Sequence, residues 1–163
     1  MKRADDKTWP FQCLYIHACK LRSFAVDSAR EIHSPSSLLK HGKRHSSQVM
    51  FLLRHGVAID AIKIMYRRNG ADVWTDQWGE GGGQFSEFNL DDGESLRSIR
   101  GHYGRFAGVT VVRSLTFISD KRTYGPYGGE GGIAFELEAP DRRIVGFTAR
   151  SGLYLDALGI YVA

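Results

Sequence analysis

From Ser46 to Ala163, apolar and polar residues alternate in short runs that glycine interrupts, the texture of a domain built from β-strands and tight turns. A period of two puts alternate side chains on opposite faces of a strand, so each run has one face to bury. The runs predict strands over Val49–Arg54, Ala58–Arg67, Phe85–Leu90, Ser95–Tyr103, Val111–Ser119, Ile133–Glu138, Arg143–Ala149 and Leu155–Val162. Three of them superimpose: GVAIDAIKIMY from Gly56, GVTVVRSLTFI from Gly108 and GLYLDALGIYV from Gly152. Alternation alone makes a strand, so a glycine and an aspartate repeated at the head of two such runs ask for a separate reason.

The intervening stretches align as well. WGEGGGQFSEFNL from Trp78 matches YGGEGGIAFELEA from Tyr127, and SLRSIRG from Ser95 matches DRRIVG from Asp141. The repeating unit is a glycine-rich loop, a strand, a turn, a strand, a second glycine loop and an alternating strand. Two units are complete, and only the second half of the first is legible. An isolated small sheet is marginal in water, whereas three sheets that turn their apolar faces to a common axis bury one shared core. The expectation is an all-β fold of three antiparallel sheets of about four strands, the first possessing fewer, with Trp74, Phe85, Phe117, Phe135 and Phe147 in the core.

Composition adds a division of the chain. Residues 1–45 carry nine Lys or Arg and four Asp or Glu, so this segment holds +5 while the remaining 118 residues hold −1 of the +4 total. It shows no sustained period apart from a short helical pattern over Ala18 to Ile32 and ends in HGKRH. Residues 1–45 are therefore expected to be a basic, poorly ordered arm and residues 46–163 a single domain. Cys13 and Cys19 lie in the arm with too few neighbours for a zinc site or a disulfide framework, so free thiols are expected. FQCLYIHAC is broken by Gln12 and His17, and no apolar run approaches the ~20 residues of a transmembrane helix, so neither a secretion signal nor a membrane span is expected.

HGVAIDAIKIMY, GEGGG, VVRSLTFISDKRTYGPYG and VGFTARSGLYLDALGIYV, in that order over residues 46–163, resemble the jacalin-related lectins. The resemblance implies a β-prism of three Greek-key sheets and a sugar-binding, non-enzymatic protein without metal or cofactor, cytoplasmic or nuclear, of plant type. The terminal loop resembles the mannose-binding branch, whose chains are uncleaved, rather than the galactose binders. It implies that Asp156 accepts from the 4- and 6-hydroxyls of a sugar. The backbone amides of Leu153 and Tyr154 then donate to the ring and 6-position oxygens, and Gly152 shapes the turn. A second site is implied at Gly56, Val57, Ala58 and Asp60 facing Gly82 and Gly83. The aligned position of the third repeat is Val112, so no site is expected there.

The chemistry fits those residue types. Sugar hydroxyls donate and accept, so a site needs a fixed carboxylate and backbone donors unobstructed by side chains, which glycine permits. One departure changes the expectation. The family's N-terminal glycine-rich loop has no counterpart, because residues 1–45 hold one glycine, Gly42, and WPF from Trp9 is a faint echo. Binding at Asp156 is therefore expected to be the weaker, and the first sheet to lack a strand. The partners expected are mannose/glucose-type glycans or glycoproteins, with a homodimer or higher oligomer supplying avidity.

Two other classes were weighed against the sugar reading. Asp91, Asp92 and Glu94 offer a carboxylate cluster, with His55 and His102 as bases, for a glycosidase. LDDGES instead reads as a solvated turn. A prism that has lost sugar binding and contacts proteins, acidic surfaces or nucleic acid through the basic arm is the alternative, although nine charges over 45 residues make nucleic acid a poor fit.

Overall fold

The computed structural model describes residues 12–15, as backbone, and residues 49–163 apart from Asn69. In chain order the strands are β1 (Gln12–Tyr15), β2 (Val49–His55), β3 (Ile59–Arg68), β4 (Ala71–Trp74), β5 (Trp78–Gly79) and β6 (Gln84–Leu90). They continue with β7 (Leu96–Phe106), β8 (Val109–Ser119), β9 (Thr123–Gly128), β10 (Ile133–Glu138), β11 (Ile144–Ser151) and β12 (Leu155–Val162). No helix occurs among the described residues.

Each sheet is built outward from a hairpin made by one of the repeats: β2–β3, β7–β8 and β11–β12. The β2–β3 sheet adds β6 beside β2, with β4 and β5 along β3. The β7–β8 sheet runs β10-β7-β8-β9, and the third runs β1-β12-β11. All pairings are antiparallel, and the three sheets form the β-prism that the repeats require.

The axis is sealed where one ring touches all three sheets. Phe51 of β2 is fully buried, stacks on Phe88 of β6 at 4.7 Å, and meets Phe117 of β8 at 5.1 Å and Phe147 of β11 at 5.5 Å. Ile62, Ile99, Leu115, Leu155 and Ile160 fill the space around this cluster without exposure. Phe117 is buried as expected, and Phe135 and Phe147 pack half-buried against the cluster.

Trp74 and Phe85 do not belong to the core. Phe85 lies opposite Arg54 on the outward face and is 53% exposed, because β6 alternates with Phe88 and Leu90 turned inward. Trp74 sits on edge strand β4 at 42% exposure, with the Lys63 ammonium 5.2 Å from its ring centroid. The pattern gives a strand's period but not which phase faces the axis when both phases carry aromatics.

Strand β1 pairs with β12, Gln12 opposite Val162 and Tyr15 opposite Gly159, so four residues of the segment expected as an arm form part of a sheet. The helical pattern over Ala18 to Ile32 and Cys19 lie outside the described residues. Strands β4, β5 and β9 were not expected from the pattern. β9 reads TYGPYG, and its proline is accommodated because the strand pairs on one side only, with β8.

Candidate functional site

The loops at the heads of the three hairpins gather at one end of the prism, and strand register determines what each presents. Residue His55 pairs with Ile59 while Arg54 pairs with Ala61, leaving Asp60 as the extra residue of a β-bulge. The same irregularity separates Arg150–Ala157 from Ser151–Leu155, which makes Asp156 the bulged residue of β12. A bulge re-aims one side chain out of the sheet's alternation. That is why an acidic residue fits at the head of an otherwise apolar strand.

The third hairpin differs from what the sequence alignment implied. Its register shift lies between His102–Ser114 and Tyr103–Val112, so Arg113 occupies the bulge, while Val112 is fully buried. Its strands continue to a two-residue turn at Ala107 and Gly108, both with positive φ, instead of opening into a three-residue loop. Strand register, rather than spacing from the glycine, identifies the equivalent position as Arg113.

The GVAID and GLYLD loops are closed alike. Gly56 N–H donates to the Ala58 carbonyl at 2.9 Å, and Gly152 N–H donates to the Tyr154 carbonyl at 3.1 Å. Among the described residues, the amides of Val57, Ala58, Leu153 and Tyr154 donate to no backbone carbonyl, although Ala58 as a whole is buried at 1% exposure. Val57 and Leu153 are exposed at 54% and 64%.

Around Asp60 a second loop completes a cradle. A Cβ added at Gly82 would stand 3.1 Å from Asp60 Oδ1, and one at Gly83 would stand 2.5 Å from Oδ2 and 2.3 Å from the His55 carbonyl. Gly83 also has φ of +51°, so only glycine lets this backbone lie against the carboxylate. Gly83→Ala is expected to displace Asp60 and remove ligand binding at this loop pair, at a stability cost of about 1–3 kcal/mol. Titration beside a denaturant melt checks both, and retained binding would show that the contact is dispensable.

Under the cradle, His55 is buried, with its imidazole driven down by burial and drawn the other way by the Asp60 carboxylate. Gly128 N–H donates to Nδ1 at 3.2 Å, so the ring proton resides on Nε2, which donates to Ser86 Oγ at 2.8 Å. His55 is thus a neutral strut between β2, β6 and β9.

Asp156 is enclosed by fewer glycines among the described residues and faces an arginine instead. Its Oδ2 lies 3.9 Å from the Cβ position of Gly152 and 4.0 Å from Arg150 Nε. Burial pushes the Asp156 carboxyl up and Arg150 opposes the shift. The ring of Tyr154 is held edge-on by Phe106 at 5.3 Å. No glycine pair faces Asp156 among the described residues.

Two carboxylates of LDDGES are engaged in holding their turn, with Arg122 bridging Asp91 and Glu94. Asp91 is exposed and pairs with Arg122. Asp92 is exposed, and its carbonyl accepts from Lys121 at 3.0 Å. Glu94 is not solvated as the turn reading had it. Its side chain is fully buried and accepts from Ser119 Oγ at 2.5 Å, the Asp91 amide at 2.8 Å and Tyr124 OH at 2.9 Å. Its oxygens are committed to holding the turn. His102 Nδ1 is engaged with Ser114 Oγ at 3.0 Å.

The three-sheet prism thus carries two bulged aspartates at the heads of glycine-led loops. Residues 33–161 match the Jacalin-like lectin domain family, and the chain belongs to it. The matched region starts upstream of Ser46, inside the segment set apart by its charge. Jacalin-related lectin 3 of Arabidopsis thaliana is 42% identical over 114 residues, 68% of this chain and 19% of that protein, so the chain spans under a fifth of that relative. A mannose-binding jacalin-related lectin from Ananas comosus superimposes with a TM-score of 0.67 at 37% identity, covering 79% of this chain and 91% of the other. A mannose-specific jacalin-related lectin from Morus nigra, solved with mannose, gives 0.64 at 34% identity, with 73% and 82% covered.

Proposed function

We propose that this domain binds mannose/glucose-type glycans without catalysis, and that the Asp60 loop pair is the principal site. The observation that carries the reading is the Asp60 carboxylate set against Gly82 and Gly83, with the amides of Val57 and Ala58 unengaged beside it. A carboxylate accepts two adjacent hydroxyls, and amides fixed alongside donate to the ring and 6-position oxygens. Mannose and glucose share an equatorial 4-hydroxyl that reaches a carboxylate together with the 6-hydroxyl, whereas galactose turns its 4-hydroxyl axial. Among the described residues the Asp156 loop offers the same acceptor and amides with one wall fewer, on which we rank it as the weaker site. The mannose-binding relatives of the same fold support this choice of sugar.

Shallow sites of this kind bind at about millimolar strength, roughly −4 kcal/mol, so glycan capture relies on two sites engaging one branched ligand. Calorimetric titration with methyl α-mannoside and methyl α-galactoside tests the reading. The unaltered chain is expected to bind the mannoside only. Asp60→Ala should remove most of the heat, since each lost charge-assisted bond is worth about 1.5–3 kcal/mol, and Asp156→Ala should retain most of it. Equal response to both sugars, or mannoside heat untouched by either substitution, would overturn it.

A further inference from the structure

The third hairpin, which presents arginine where the other two present aspartate, reaches across to the Asp60 loop. Arg113 Nε donates to the Val57 carbonyl at 3.0 Å, and Nη1 donates to the Arg105 carbonyl at 3.2 Å. The guanidinium lies over Phe106, its Cζ 5.5 Å from the ring centroid. Val57 is the residue whose amide meets the ligand in the proposed principal site, and it is exposed between exposed Gly56 and buried Ala58. We propose that Arg113 is a positioning residue for that site: by tying the Val57 carbonyl to the β7–β8 hairpin it fixes the loop whose amides meet the sugar. This rests on reading the Asp60 loop as a sugar site.

The pseudo-symmetry of the fold supplies an internal comparison. In the Asp156 loop the carbonyl at the matching position, Leu153, accepts from the backbone amide of Glu80 at 3.3 Å. Each sugar-type loop is thus braced by the neighbouring sheet through the carbonyl after its glycine. One brace is backbone, which substitution leaves in place. The other is a side chain, which substitution removes. The approach around Val57 is tight as well, because a Cβ at Gly129 would stand 2.9 Å from the same carbonyl, so the loop rests on the β9–β10 connection while Arg113 holds it from the side. A planar fork spans two carbonyls in a way a single ammonium does not. An exposed loop held by few contacts opens locally more readily than the strands beneath it, and a site whose donors are already in place binds more tightly than one that must order them.

The test compares Arg113→Met, which keeps an unbranched apolar stem and removes the donors, with Arg113→Lys and the unaltered chain. Amide hydrogen exchange is read at Gly56 and Gly152, whose N–H groups close the two loops in the same way. Arg113→Met should accelerate exchange at Gly56 about tenfold and leave Gly152 and the melting temperature unchanged, with Arg113→Lys between. In an Asp156→Ala background, mannoside affinity should fall about tenfold on adding Arg113→Met. Equal acceleration at both glycines, or no change at either, would overturn the proposal, as would faster exchange at Gly56 with undiminished affinity. Absence of mannoside binding in the Asp156→Ala parent would overturn the sugar reading instead, and the exchange comparison would still decide whether Arg113 holds the loop.

Discussion

Phe51→Ala is expected to destabilise the domain by about 3–5 kcal/mol, the range for emptying a buried phenylalanine site. The upper half of that range applies because the ring is fully buried and touches Phe88, Phe117 and Phe147, so one truncation removes contacts to all three sheets. Total stabilities of roughly 5–15 kcal/mol make this a large fraction, and the melting temperature should drop by roughly 8–20 °C. Phe85→Ala is the control, because that ring is 53% exposed on the outward face of adjacent β6. It should change stability by less than about 1 kcal/mol. Urea unfolding of the two variants decides the matter: equal losses would mean that the axis is not where the three sheets depend on one another.

The contrast between those two phenylalanines marks how far the sequence could be read. Strand existence followed from alternation, and Ile133–Glu138 and Leu155–Val162 were legible to the residue. The threefold plan was legible because the repeats keep their glycines. Phase was not, since β6 carries aromatics on both faces and only packing against the other sheets selects Phe88. Short edge strands escaped for two reasons: β4 is only four residues long, and β9 carries glycine and proline, which one-sided pairing tolerates although they otherwise argue against a strand. Within the site, Asp60 and Asp156 were visible as residues out of step with the apolar run. The assignment of the third position was not, because a bulge shifts register by one and spacing from Gly108 points to Val112 where pairing points to Arg113. A signal did exist: Arg113 is the charged residue in VTVVRSL that breaks the run much as the aspartates break theirs.

Glu94→Ala is expected to cost roughly 2–4 kcal/mol. The Glu94 side chain has no exposure and accepts from Ser119, the Asp91 amide and Tyr124, with Arg122 Nε 3.6 Å away. Removing one partner of a buried charged network commonly costs about 3–5 kcal/mol. Two alternative acceptors lower the figure here. Ser119 Oγ lies 3.0 Å from the Arg122 carbonyl, and Tyr124 OH lies 3.1 Å from the Asn89 carbonyl, so both hydroxyls retain an acceptor, while the Asp91 amide loses its own. Glu94→Gln keeps the shape and an acceptor oxygen and should cost less. The pH dependence separates a working carboxylate from a space-filling one. Burial pushes the Glu94 carboxyl up, but the Ser119 hydroxyl, the Asp91 amide, the Tyr124 hydroxyl and Arg122 together hold it below the usual range. A depressed folded value means stability that is present above about pH 4.3 and lost as pH falls through that lower value. On the alkaline side, burial and Glu94 push the Tyr124 phenol up to about 12. Its contribution is complete below about pH 10 and is lost as pH rises from there toward 12. Unfolding free energy measured from pH 3 to 7 should therefore fall more steeply with acid in the unaltered chain than in Glu94→Gln. Parallel curves would show that folding leaves the carboxyl's affinity for protons unchanged, so that these four partners do not favour its ionised form.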